Sequence, residues 1–314
     1  MTDPCVEAAA APPPEPSRSS DESGLALYDF PAAGPPRGSL YLLHGFGEHV
    51  GRYRRLIALL NAQGWHVGAH DHRGHGHSPG VRGRLPGEPG FIDDALRRFD
   101  AFRRHTGVEP VLFGHSMGGT LAAEMVLQHE CRVAGLVLSS PALRPSLSAF
   151  QRFQVTIVNA IAPNLVMTRP IDGRRLSHDP EQVRAYHDDP LVHGSVTAAL
   201  VDWMLQSGAR SIAAAGTLLP PTLLLGGSDD RVADPQAWHA FAVRAPTTRL
   251  RFVLLDGGLH ELFNETAHWR ERADAELGGW LTALASGATT ISAGASADTQ
   301  ARAGGVAPAL RPAS

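Results

Sequence analysis

Val111-Leu112-Phe113-Gly114-His115-Ser116-Met117-Gly118-Gly119-Thr120-Leu121-Ala122-Ala123 is the most informative stretch of this chain. Its first three residues read as a buried strand, and the residues from Thr120 onward read as a helix. Between them stands the pattern G-x-S-x-G. A sharp strand-to-helix turn at such a serine strains the backbone and exposes the hydroxyl. It also turns the N–H groups of a helix N-terminus toward the place where an oxyanion forms. Out of context the same letters are an ordinary glycine-rich turn; the flanking strand and helix make Ser116 a candidate nucleophile.

Outward from this turn, apolar runs alternate with helical patterns. Residues 40–43, 65–69, 111–113, 136–138, 222–225 and 250–255 read as buried strands, each closed by Gly, His, Ser or Asp. Helical spacing intervenes at 53–63, 92–106, 120–129 and 235–244. This order predicts an α/β fold with a mostly parallel central sheet flanked by helices. Ligands on such sheets bind beyond the carboxyl ends of the strands. One segment, 143–219, carries no good strand signal. Its apolar residues, such as Phe150, Phe153, Ile157, Ile161, Trp203, Met204 and Leu205, predict a helical cap inserted between two strands of the sheet. Most of them are expected to form the cap's own small core, with the remainder lining an acyl pocket.

The residues after the later strands supply the partners of a nucleophile. The run Leu223-Leu224-Leu225 ends in Gly226-Gly227-Ser228-Asp229-Asp230-Arg231, and a carboxylate placed there can orient an imidazole. Position alone leaves Asp229 and Asp230 as alternatives. The final strand ends in Asp256-Gly257-Gly258-Leu259-His260, which offers His260 as general base. An oxyanion hole needs two N–H donors. The loop His44-Gly45-Phe46-Gly47 follows an early strand, so the backbone N–H groups of Phe46 and Met117 are the candidates.

Composition narrows the function classes. The chain has 314 residues, 43% hydrophobic, with a formal net charge of −3. That suffices for one large domain and offers no basic field for nucleic acid. Cys5 and Cys131 are the two cysteines, and they form no metal or redox pattern. The N-terminus lacks the basic and apolar regions of a secretory signal, and no run approaches a membrane span of about 20 apolar residues. A cytoplasmic protein, peripheral at most to a membrane, is expected. The predicted organisation is a disordered tail over 1–23, a core over 24–142, the cap over 143–219, the rest of the core over 220–285, and a second disordered tail over 286–314.

Several blocks resemble the monoacylglycerol lipases and related lysophospholipase-like serine hydrolases of the α/β-hydrolase superfamily. They are His44-Gly45-Phe46-Gly47-Glu48-His49 with Gly51-Arg52-Tyr53, Asp71-His72-Arg73-Gly74-His75-Gly76-His77-Ser78, the G-H-S-M-G-G turn at 114–119, Gly227-Ser228-Asp229-Asp230-Arg231, and Asp189-Pro190-Leu191-Val192. The resemblance selects Asp230 as the acid. It implies hydrolysis of an acyl monoester of glycerol or a similar alcohol, with no cofactor. It also implies that Glu48, Arg52 and His115 lie near the substrate. Phe46 is bulkier than the residue often found there, which implies a narrower acyl channel. A cap of this kind implies transient contact with membranes or micelles through an apolar outer face.

Other readings compete. His70, His72, His75 and His77 crowd into eight residues, yet no Cys or second His cluster completes a metal site, and the same residues form one of the resembling blocks. Thioester or amide hydrolysis, acyl transfer, perhydrolysis and short-chain ester cleavage use the same scaffold. A hydrolytic dehalogenase commonly carries Asp where Ser116 stands. A ligand-sensing receptor on a hydrolase fold has no need of all three of Ser116, Asp230 and His260.

Overall fold

The computed structural model describes residues 17–85, 87 and 90–287. In chain order its first strands and helices are β1 (Ser17–Ser20), β2 (Ala26–Phe30), β3 (Gly38–Leu43), α1 (Arg54–Ala62), β4 (Trp65–His70), α2 (Phe91–Thr106), β5 (Val111–His115), α3 (Met117–Gln128) and β6 (Gly135–Ser139). An insertion follows, with α4 (Ala149–Ile161), β7 (Val166–Thr168), α5 (Pro180–Asp188), β8 (Ser195–Thr197) and α6 (Ala198–Ala214). The chain then returns to the sheet with β9 (Thr222–Gly227), α7 (Pro235–Arg244), β10 (Leu250–Leu255) and α8 (Ala267–Ala285).

Eight strands form one sheet in the order β1-β2-β4-β3-β5-β6-β9-β10. From β4 to β10 every pairing is parallel, and only β1 and β2 run antiparallel to their neighbours. Alternate residues along a strand face opposite sides. Thus Tyr41 and Leu43 join Phe99, Met125, Leu200 and Phe241 beneath α2, α3, α6 and α7. Leu40 and Leu42 join Ile57, Leu60, Leu277 and Leu281 beneath α1 and α8. The near-continuous burial of β5 and β9 is what a parallel strand covered on both faces requires.

Three features differ from the sequence reading. Ser17–Ser20, assigned to a tail, is a strand paired to β2. An edge strand of this kind is held by backbone hydrogen bonds and needs no apolar side chains, so composition does not announce it. The remaining tail residues, 1–16 and 288–314, lie outside the described residues. The insertion is not purely helical, because β7 and β8 pair as a small antiparallel ribbon. Finally, Phe150, Phe153, Ile157 and Ile161 form no core of the cap. They make an exposed stripe on α4, with Phe150 68% and Ile161 77% exposed. Trp203 and Met204 on α6 do pack into the main core.

The cap is tied to the sheet at the carboxyl ends of the strands. The His193 N–H donates to the Gly47 carbonyl at 2.9 Å, the Thr197 N–H to Gly83 at 3.0 Å, and the Glu261 N–H to Leu176 at 2.8 Å. The His49 ring meets the Asp189 carboxylate at 2.8 Å, joining two of the blocks singled out in the sequence.

Candidate active site

Ser116 sits between β5 and α3 with φ 52° and ψ −117°, a conformation that side-chain-bearing residues rarely adopt. The surrounding packing enforces it. A Cβ on Gly118 would come within 2.3 Å of the Leu43 carbonyl oxygen and 2.4 Å of that of His44. No alanine fits there, so the turn closes tightly onto the end of β3. A Cβ on Gly45 would meet the Ser116 Cβ at 3.2 Å, which places the loop after β3 directly against the nucleophile.

The Ser116 Oγ lies 2.9 Å from His260 Nε2, and His260 Nδ1 lies 2.6 Å from Asp230 Oδ2. A carboxylate only accepts, so Nδ1 carries the ring proton and Nε2 is left as the acceptor for the serine hydroxyl. All three side chains are buried. The second oxygen of Asp230 accepts the N–H groups of Val232 and Ala233 at 2.7 and 2.9 Å, which fixes the carboxylate at the end of β9. Asp229 is exposed, and its carboxylate takes the Ser228 hydroxyl instead. Burial by itself would lower the His260 pKa; the Asp230 charge and hydrogen bond outweigh it and hold the imidazole above its ordinary value.

Met117 is the first residue of α3, and Phe46 follows Gly45 in the adjoining loop. Among the described residues, neither backbone N–H has another hydrogen-bond partner. Two donors beside a nucleophile–base pair can stabilise charge developing on a carbonyl oxygen. The loop is braced from both sides. His44 Nδ1–H donates to the Gly45 carbonyl at 2.8 Å while its Nε2 accepts the His72 N–H at 2.9 Å. The Gly45 N–H donates to Glu48 Oε1 at 2.6 Å.

Glu48, Arg52 and His115 lie close to this centre, packed among protein groups. Arg52 bridges Glu48 at 3.4 Å and Glu261 at 2.5 Å, with its guanidinium 5.0 Å from the centre of the Tyr186 ring. The space among Glu48, Tyr53, His115 and Glu261 is only about 10 Å³, too small for more than one water-sized group. Burial would raise the Glu261 carboxyl, but the Arg52 guanidinium holds it below its ordinary value. Burial and the neighbouring Glu261 charge push Glu48 up. The His115 ring stands 4.9 Å from that of His260, and burial together with that neighbour lowers its pKa to about 3. Glu261 was not foreseen from the sequence. Its adjacency to His260 is visible there, but its burial against Arg52 is not.

The four histidines considered as metal ligands do not converge on one point. His70, His72 and His75 are buried, whereas His77 is exposed. Among the described residues, the only group of three ligand atoms close enough to share an ion lies elsewhere and involves none of them.

Comparison with known proteins identifies the family. The family model described as serine aminopeptidase, S33 (Hydrolase_4) matches residues 34–267. Human monoglyceride lipase is 31% identical over 264 residues, 82% of this chain and 87% of the lipase. An uncharacterised abhydrolase domain-containing protein of Dictyostelium discoideum is 32% identical over 79% of this chain, which spans only 27% of that relative's length. The crystal structure of Paleococcus ferrophilus monoacylglycerol lipase superposes with a TM-score of 0.75 at 32% identity, covering 83% of this chain and 99% of the lipase. With that similarity spanning both halves of the sheet and the intervening cap, the chain belongs to the S33 hydrolase family, among the monoglyceride-lipase-like α/β-hydrolases that cleave carboxylic esters.

Proposed function

We propose that this enzyme hydrolyses monoacylglycerols or closely similar acyl monoesters through Ser116, His260 and Asp230. The supporting observation is the unbroken line of contacts from Ser116 Oγ through the His260 ring to Asp230 at the carboxyl ends of β5, β9 and β10. His260 Nε2 takes the Ser116 proton as Oγ bonds to the ester carbonyl carbon. The N–H groups of Phe46 and Met117 hold the resulting oxyanion. The tetrahedral species collapses, the alcohol leaves with the proton from His260, and an acyl-serine remains. Water then attacks that ester with His260 again as base, which frees the fatty acid and restores the serine.

Substrate length turns on Phe46, whose ring packs edge-on against His75 and His193 at 6.2 and 5.8 Å. A ring of that size beside the oxyanion loop favours short or medium acyl chains as a second reading. The exposed apolar stripe on α4 suits contact with a micelle or bilayer, which would deliver an insoluble substrate at the cap.

The deciding experiment compares initial rates on monoacylglycerols of graded chain length with matched short-chain esters, using Ser116→Ala as control. Faster turnover of long monoacylglycerols supports the lipase reading. Cleavage of short esters alone keeps the serine hydrolase and removes the lipid substrate. No turnover by a folded enzyme would refute both and favour a sensing role.

A further inference from the structure

Asp29, His66 and His105 come together far from the serine. They arrive from three elements: the outer strand β2, the amino-terminal end of β4, and the last turn of α2. One ligand atom from each lies within 4.8 Å of the other two. The geometry points to a divalent metal site of two imidazoles and one carboxylate, and we propose that it binds zinc.

The sequence builds the arrangement locally. Asp29 pairs across the sheet with Gly68, so its side chain rises on the same face as that of His66 two residues earlier. Gly68 has no side chain, and none would fit, because a Cβ there would come within 2.5 Å of the Phe102 ring. The carboxylate therefore reaches across the bare position to His66 Nε2 at 2.6 Å. Phe102 also packs edge-on against His66 at 5.4 Å. One helical turn later His105 brings its ring to 6.0 Å from His66. A residue three positions on occupies the same helix face, so the packing that seats Phe102 also aims His105 at the pair.

The donor set suits zinc, nickel or copper better than calcium or magnesium, since two of three ligands are imidazole nitrogens. Zinc–ligand bonds of about 2.0–2.2 Å place neighbouring ligand atoms about 3.4 Å apart in a tetrahedron. The Asp29–His66 contact must open slightly and His105 must close by at most about 1.4 Å, a movement within reach of side-chain rotation at an exposed helix end. Asp29 has a further partner besides His66, so the ion exchanges contacts and does not fill an idle carboxylate. Asp29 and His66 are half-buried and His105 is exposed, which leaves a path for entry and a coordination position for water. Bound there, zinc would pin the end of α2 to the outer strands. The parallel strands separate this site from Ser116, since His66 lies at the amino-terminal end of β4 whereas Ser116 follows the carboxyl end of β5.

The test is calorimetric titration of the whole chain with zinc chloride after chelator treatment, with melting followed in parallel. The proposal expects one stoichiometric equivalent and a melting temperature that rises with the logarithm of free zinc. His105→Ala and Asp29→Asn should each weaken binding by at least about 10-fold and abolish the melting shift. His105 is exposed, so its variant tests binding without threatening the fold. Ester hydrolysis should be unchanged in His105→Ala. Wild-type zinc affinity retained in both variants, or no stoichiometric binding by the wild type, overturns the site.

Discussion

Asp230 grips His260 at 2.6 Å from a buried position, while its neighbour in the chain, Asp229, faces solvent. Two adjacent carboxylates thus have separate fates, decided by the direction each takes as the chain leaves β9. Replacing Asp230 by Asn would present an amide to Nδ1 and favour the wrong ring tautomer, lowering kcat by about 10⁴. Asp229→Asn should change kcat by less than about 2-fold, as surface substitutions generally do. Ser116→Ala should lose on the order of 10⁶. Steady-state kinetics on a soluble ester separates the three, and a larger loss in Asp229→Asn than in Asp230→Asn would reverse the assignment.

The pH dependence of kcat/KM should report His260 as the base. Its neutral form is the active one, and Asp230 holds its pKa above the ordinary 6.5. The acid limb of the profile is therefore expected to have its midpoint above 6.5, with activity falling below it. In Asp230→Asn the residual activity should show a midpoint shifted downward, because burial is then opposed only by the weaker pulls of Glu261 and Glu48. A midpoint that stays put in the variant would mean that another group controls the limb.

Acid should unfold the protein steeply. His44, His70, His72, His75 and His115 are buried, and burial sets each pKa below its ordinary value. In the unfolded chain these rings take up protons near pH 6.5; in the folded state they do so only at lower pH. Their neutral burial contributes stability that is present above 6.5 and is lost as pH falls, at roughly 1 kcal/mol per pH unit for each ring. His260 has the opposite sign, since its raised pKa adds stability below 6.5 that is lost as pH rises through its folded value. The five outweigh the one. His44 is the sharpest case, because its Nε2 must stay unprotonated to accept the His72 N–H. Urea unfolding between pH 7.5 and 5 should give a midpoint that declines with acid, and a flat profile would contradict this account.

Two glycines should behave differently although both border Ser116. Gly118→Ala drives a methyl group into two backbone carbonyls, which cannot yield, and should prevent stable folding. Gly45→Ala meets the flexible end of Glu48 at 2.8 Å and the Ser116 Cβ at 3.2 Å. It should fold, with the oxyanion loop displaced and kcat reduced about 10²-fold. Circular dichroism beside kinetics distinguishes loss of fold from loss of rate.

The central strands, Ser116 and His260 are legible because parallel strands buried on both faces leave continuous apolar runs with the chemistry at their ends, whereas the strand end leaves Asp229 and Asp230 open and the family resemblance picks Asp230. The runs before Gly114, Gly226 and Asp256 carry that signal. Other parts depend on partners remote in the chain. Glu261 owes its burial to Arg52, 209 residues away. The ribbon of β7 and β8 is only three residues long on each side, below what periodicity can register. The exposed face of α4 has the same spacing as a buried one, and nothing in Phe150 or Ile161 themselves says which way the helix turns. Ser17–Ser20 lacks the apolar residues that mark a strand, because the β2 backbone supplies its hydrogen bonds.

The elbow and its base are separated by 144 positions, with the whole cap between them. Synthesis proceeds from the amino terminus, and domains begin to fold as they emerge. A nascent chain therefore carries Ser116 well before it carries the imidazole that meets it. The contact from Ser116 to His260 exists only once β10 pairs with β9 and the loop after it reaches the serine. A chain that stops before that strand has the serine but lacks the imidazole that would take its proton.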